Sequence, residues 1–167
     1  AENFSIGGDG TDLLYFGTEN GLSTTPGWHS NSTFITTSAT WFDYDTDGDL
    51  DLYVGISGPD IIYANEGGNL TFDPVWTSPF NSWTMDVIAA DIDGDGHYDD
   101  VAVASMDDSN YVWSVYQTQN NEMFLTWYSE DIGAAAGVSV GDLDNDGHLD
   151  LAFTDLSGGN VNIFHNL

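Results

Sequence analysis

Three stretches of the sequence superpose without gaps, and their spacing limits the fold more than any other feature. They read WFDYDTDGDLDLYVG from Trp41 to Gly55, AADIDGDGHYDDVAV from Ala89 to Val103, and VGDLDNDGHLDLAFT from Val140 to Thr154. Their central glycines, Gly48, Gly96 and Gly147, stand 48 and 51 residues apart. A chain with such a period folds as similar units stacked on one another, each too small to bury its apolar face alone.

Each unit follows one plan. A short apolar strand is expected at Ser38–Phe42, Met85–Ala90 and Gly137–Val140. An acidic loop comes next, then a second strand at Leu50–Gly55, Asp100–Ala104 and Leu149–Thr154. A third strand with period-2 alternation is expected at Asp60–Ala64, Tyr111–Tyr116 and Val161–Phe164. Fourth strands fit Thr71–Trp76 and Met123–Tyr128. No stretch sustains a helical period with caps. Four short antiparallel strands in a period of about 50 residues predict an all-β fold of β-propeller-type blades, three to four in number. The predicted boundaries are a partial or degenerate unit at 1–37, blades at 38–82 and 83–134, and at 135–167 a blade lacking its last strand. The opening unit is read from Asp9–Gly17, which lies over Asp47–Gly55; Ser5 and Gly7 replace its upstream acids, so it has lost its metal. In a second register Leu13–Gly17 is a third strand leading into Gly21–Trp28.

The loops obey the rule Asp-x-Asp-x-Asp-Gly-x-x-Asp. It is met by Asp43, Asp45, Asp47, Gly48 and Asp51, by Asp91, Asp93, Asp95, Gly96 and Asp99, and by Asp142, Asp144, Asp146, Gly147 and Asp150. Alternating carboxylates on a tight loop supply the many flexible oxygen ligands that Ca²⁺ takes. Glycine suits the sharp turn. Position 7 of each loop (Asp49, His97, His148) is expected to offer its backbone carbonyl, which makes three Ca²⁺ sites. Four unpaired carboxylates at this spacing repel one another, so plain acidic turns explain the pattern less well. The flexible cage argues against Mg²⁺, and the lack of Cys or ligand-position His argues against Zn²⁺. An EF-hand is excluded because the closing acid stands at position 9 rather than 12 and β-type residues follow it.

Charge supports the same reading. The 167 residues include 28 acids and neither Lys nor Arg. Phosphate-contacting chemistry is therefore missing, which excludes nucleic acid and anionic lipid as expected partners. No Lys or Arg salt bridge can form, and cations are the natural compensation. Three Ca²⁺ would bring the formal charge from −28 to −22. There is no Cys to staple the fold, a role bound metal can take. No apolar run nears the length of a transmembrane helix. Ala1 with no leader reads as a secreted chain after signal removal, extracellular or at the cell surface. Sequons at Asn3, Asn31 and Asn69 permit glycosylation.

The three loops, with YANEGGNLTF (Tyr63–Phe72) and YFGTENGLSTTPGW (Tyr15–Trp28), resemble the FG-GAP and VCBS repeats of integrin-like propellers and secreted bacterial proteins. That resemblance implies a β-propeller-type fold, calcium in loops joining the first two strands of each blade, and adhesive, matrix or cell-surface roles. The chain departs from those repeats in its few blades and its missing basic residues.

Propellers close with about four to eight blades. Three units and a remnant leave an open edge after Val161–Phe164, which Phe4–Phe16 of the same or a neighbouring chain could cover. The expected function is thus a calcium-binding structural or adhesive module forming a homo-oligomer, filament or ring. A lectin-like carbohydrate-binding propeller, or one meeting another extracellular protein, is the second reading, and a fragment of a secreted enzyme the third. No G-x-S-x-G or H-E-x-x-H motif occurs, and the chain is not expected to be an enzyme. The six Trp are expected mainly between sheets.

Overall fold

A computed structural model describes residues 10–106, 113–120, 122–129 and 134–167. In chain order its strands are β1 (Thr11–Leu14), β2 (Gly17–Thr18), β3 (Gly21–Leu22), β4 (Trp28–Thr33), β5 (Thr36–Phe42), β6 (Asp51–Gly58), β7 (Ile61–Tyr63) and β8 (Trp76–Thr77). They continue as β9 (Ser82–Ala90), β10 (Asp100–Met106), β11 (Trp113–Gln119), β12 (Glu122–Tyr128), β13 (Ala135–Gly141), β14 (Asp150–Asp155) and β15 (Asn160–Phe164). The described residues contain no helix, as the absent 3.6 period predicted. Residues 4–9 of the segment Phe4–Phe16, and the first two residues of the third strand expected at Tyr111–Tyr116, lie outside the described residues. In the N-terminal segment β1 pairs with β4 in antiparallel fashion.

The strands form sheets of two, two, eight and three. This corrects the expectation of separate four-stranded β-propeller blades. The meanders β5–β8 and β9–β12 are fused into one curled eight-stranded sheet. The cause is strand length. β6 and β9 run for eight and nine residues, past the ends that the apolar pattern suggests. The surplus backbone of β6 meets that of β9 in the pairs Ser57↔Trp83 and Gly58↔Ser82. Paired amides are more stable there than two open edges. Gly55 permits the approach, since a Cβ at that position would stand 2.5 Å from Thr84 Cγ2.

A buried carboxylate pins this seam. Asp60, in the turn between β6 and β7, accepts hydrogen bonds from Ile56 N (3.0 Å), Tyr53 Oη (2.9 Å) and Thr84 Oγ1 (2.9 Å). Burial pushes its pKa up to about 6 despite those donors. The folded chain thus holds the Asp60 proton more tightly than the unfolded chain does. This contribution to stability is complete below about pH 4 and is lost as pH rises through 6, roughly 3 kcal/mol in all. Asp60→Asn should remove that share of the pH dependence. The check is the urea midpoint of metal-free protein between pH 4 and 7; a slope equal to that of the unchanged chain would contradict it.

Three apolar clusters hold the layers. The first lies between the two meanders and joins Phe42, Tyr44, Tyr53 and Ile62 to Val87, Val101, Val103 and Met123. The second packs β9–β11 on the β13–β15 sheet through Ile92, Trp113, Val115, Leu151 and Phe153. The third seats Trp28 and Leu14 on Val54, Ile56, Ile61 and Tyr63. Asp86 adds a polar tie across the layers. It accepts from Ser38 Oγ of β5 (3.2 Å) and from Val138 N of β13 (3.1 Å).

Candidate metal centres

The acidic loops connect β5 to β6, β9 to β10 and β13 to β14, three equivalent places. The register repeats across them: Phe42↔Asp51, Ala90↔Asp100 and Gly141↔Asp150 are the last pairs before each loop. Asp51, Asp100 and Asp150 therefore occupy one position. Each reaches back across its loop to accept the amide of the second loop residue: Tyr44 N at 2.7 Å, Ile92 N at 2.8 Å and Leu143 N at 2.8 Å. The spacing rule pointed to Asp99 in the second loop. That loop is one residue longer, and Asp100 holds the strand-start place. The doubled Asp99–Asp100 was the available signal.

The first loop aspartate closes each turn. Asp43 accepts from Gly48 N (3.2 Å), Asp91 from Gly96 N (3.0 Å) and Asp142 from Gly147 N (3.1 Å). Asp45, Asp93 and Asp144 accept amides two residues on, as do Asp47, Asp95 and Asp146. A glycine sits at the turn with φ of 92°, 94° and 96° in the three loops. Position 4 is also left-handed, at Thr46 (57°), Gly94 (75°) and Asn145 (62°). The Thr gives no sequence signal for that conformation.

These turns gather oxygens. One carboxylate oxygen from each of Asp43, Asp45 and Asp51 lies within 4.8 Å of the others. The same holds for Asp91, Asp93 and Asp95, and for Asp142, Asp144 and Asp146. Asp47, Asp99 and Asp150 fall outside these sets. The side chain of Asp49 accepts Gly67 N (3.1 Å), tying the first loop to the β7–β8 connection. The backbones of His97 and His148 donate to their own loop acids, and Gly94 stands beside the His148 ring. Asp43 N donates to Tyr98 O (3.0 Å), so the first and second loops touch.

The electrostatics are unbalanced. Burial raises Asp51 to about 6, against the opposing amides of Asn65 and Tyr44, and nearby Asp45 and Asp47 push it further. Burial likewise raises Asp99 to about 6 and Asp100 to about 7. Asp150 differs: the amide of Leu143 holds its pKa below the usual range, with help from Asn166 N and from His165, whose Nδ1 lies 3.4 Å away. One oxygen is orphaned. Asp91 Oδ1 is buried and has no hydrogen-bond partner. A cation would satisfy a buried carboxylate oxygen left unpartnered beside two other carboxylates. An all-oxygen set in flexible loops fits a hard divalent ion. The acidic clusters can chelate a divalent cation.

Residues 43–101 match the FG-GAP-like repeat. The match begins at the first acid of loop one and ends just past loop two, so it takes in two of the three clusters and part of the chain. No curated protein matches the sequence. Among the described residues no helix is long and apolar enough to cross a membrane.

Proposed function

We propose that the chain is an extracellular calcium-binding structural or adhesive module that assembles with copies of itself. The observation that carries the metal half is the orphaned, buried Asp91 Oδ1 inside a cluster of three carboxylates. In this reading three Ca²⁺ bind, one per loop. Their side-chain ligands come from Asp43, Asp45, Asp47 and Asp51, from Asp91, Asp93, Asp95 and Asp99, and from Asp142, Asp144, Asp146 and Asp150. Asp49, His97 and His148 add backbone carbonyls. Asp100, by its equivalence to Asp51 and Asp150, joins the second set. The ion would neutralise each loop and rigidify the start of the strand that follows. The unit limits 38–82, 83–134 and 135–167 belong to the same reading, each holding one loop.

A carbohydrate-binding role draws less support. Among the described Trp, Trp28 and Trp113 are buried, and Trp76 and Trp127 pack against the clusters. The exposed pair, Trp41 and Trp83, stand opposite Leu52 and Ser57 of the same strand β6. That separation of five residues is about 17 Å, too far for one sugar ring to touch both.

Calorimetric titration of chelator-stripped protein with CaCl₂ tests the metal reading. Three sites are expected. Asp91→Asn should weaken one of them by about tenfold or more, the equivalent of about 1.4 kcal/mol, and leave two unchanged. Titration heats without binding, or an Asp91→Asn curve identical to the parent's, would refute it.

A further inference from the structure

The second loop differs from the other two at its fourth residue. Gly94 stands there, where the first and third loops carry Thr46 and Asn145, and all three are left-handed. The second loop therefore holds two Asp–Gly links in succession, Asp93–Gly94 and Asp95–Gly96. Such a link is open to attack by its own backbone, because glycine places no side chain beside its amide nitrogen. The fold occupies that nitrogen at every other Asp–Gly link of the three loops. The amides of Gly48, Gly96 and Gly147 donate to Asp43, Asp91 and Asp142 at 3.2, 3.0 and 3.1 Å. The Gly94 amide has no hydrogen-bond partner among the described residues. Asp93 and Gly94 are both exposed, so water reaches them. A Cβ on Gly94 would meet only Nδ1 of His148, 3.9 Å away, which leaves room for a ring to close. The Asp93 carboxylate itself is restrained by a single hydrogen bond, from Asp95 N to its Oδ1 (3.1 Å).

We infer, resting on the calcium reading above, that Asp93–Gly94 is a self-modifying link: it stays intact while the second loop holds its ion and converts to isoaspartate when that loop is empty. The Gly94 nitrogen bonds to Cγ of Asp93, its proton and the carboxyl hydroxyl leave as one water, and a succinimide ring closes. Water then adds at the Asp93 backbone carbonyl and breaks the bond from that carbon to the Gly94 nitrogen. The chain now runs through Cγ, and the former backbone carbon becomes a carboxylate. One water leaves and one enters, so no oxidant or other reactant is needed. The oxygens of Asp91, Asp93 and Asp95 that lie within 4.8 Å of one another are the ones an ion would engage. An Asp93 oxygen engaged in that way is not free to leave as water, which is how the ion guards the link. Isoaspartate lengthens the backbone by one carbon and takes the carboxylate from its place beside Asp91. The second site then does not refill, and a passing shortage of calcium is recorded permanently in the covalent chain. The first and third loops, with Thr46 and Asn145 at the same place, lack the device.

The test stores the parent protein in CaCl₂ or in chelator, below the melting temperature of the chelated form. The chymotryptic peptide ending at Tyr98 is then fragmented in the mass spectrometer and read for isoaspartate. Isoaspartate at 93 should form about tenfold faster or more in chelator, a barrier difference of about 1.4 kcal/mol. Asp95 in the same peptide should stay normal, because the Gly96 amide is tied to Asp91. Gly94→Asn installs the residue that the third loop carries in the same conformation, so it should keep the calcium stoichiometry and slow the change at 93. Parent aged in chelator and returned to CaCl₂ should bind one ion fewer than fresh protein. No isoaspartate at 93 in chelator, or as much at 95 as at 93, would overturn the link. Equal rates in the two conditions, in protein whose titration shows calcium bound, would overturn the guarding. Fresh protein that binds no calcium would instead strike the calcium reading, and isoaspartate at 93 but not at 95 in that protein would keep the link.

Discussion

Excess chelator should lower the melting temperature of the protein by roughly 15–30 °C. Each loop that binds Ca²⁺ only when folded adds about 2.7 kcal/mol when the free ion is a hundredfold above its dissociation constant. Three loops then contribute about 8 kcal/mol, and at this chain length each kcal/mol moves the midpoint by about 2–4 °C. The structure gives a reason for dependence of this size. The first loop touches the second through Asp43 N and Tyr98 O, and no Lys or Arg is available to offset their acids. Thermal melts in CaCl₂ and in chelator measure the effect. Moderate salt should recover part of the loss by screening, without restoring it all. Identical midpoints with and without calcium would remove the metal from the account of stability. Acid should act in opposite directions in the two conditions. Without metal, the raised pKa values of Asp51, Asp60 and Asp100 make the folded state bind protons better, so stability increases as pH falls toward 4. With calcium, protons compete with the ion for the loop carboxylates and the gain is opposed.

The second large effect is expected at Phe153. It is fully buried at the centre of an aromatic group, 5.6 Å from the Trp113 ring, 6.3 Å from Trp127 and 6.1 Å from Phe164. Removing it leaves a cavity between β9–β11 and the β13–β15 sheet that rigid neighbours on several strands cannot fill. Phe153→Ala should therefore destabilise by about 3–5 kcal/mol, read as a shift of the denaturant midpoint in calcium. Ile163 lies on the same sheet but faces outward, so Ile163→Glu should move the monomer's midpoint by about 0.5 kcal/mol or less. Equal losses at the two positions would mean that the two faces of this sheet are not distinguished as the structure has them.

Much of the candidate site was legible in the chain itself. The spacing of Asp43, Asp45 and Asp47, with its two copies, is a local pattern. A tight loop between two short strands brings such side chains together: the first three aspartates converge in the second and third loops, whereas in the first Asp51 takes the place of Asp47. The glycine at 48, 96 and 147 was legible for the same reason, because a left-handed turn residue is a local demand. Many strands were legible because apolar residues recur with a period of two or in short runs, but the fourth strand expected at Thr71–Trp76 is only the two-residue β8, Trp76–Thr77. Asp100 was not. Which of two adjacent aspartates begins β10 depends on the register with Ala90 on β9, a pairing between strands that side-chain spacing does not encode.

The sequence by itself determined an all-β chain of repeated units with three acidic loops and no Lys or Arg to pair with its acids. Those properties follow from residue type and local spacing. Only the tertiary structure decided how the units join. The β6–β9 seam is made by backbone amides of Ser57, Gly58, Ser82 and Trp83, and backbone pairing is nearly blind to side-chain identity. It produced one eight-stranded sheet where the repeat pattern suggested separate blades. Tertiary packing alone also decided that Asp60 is buried at that seam, and that Tyr44 and Ile92 are covered while Leu143 is not. Burial is a relation between distant segments, and identical local patterns receive different neighbours.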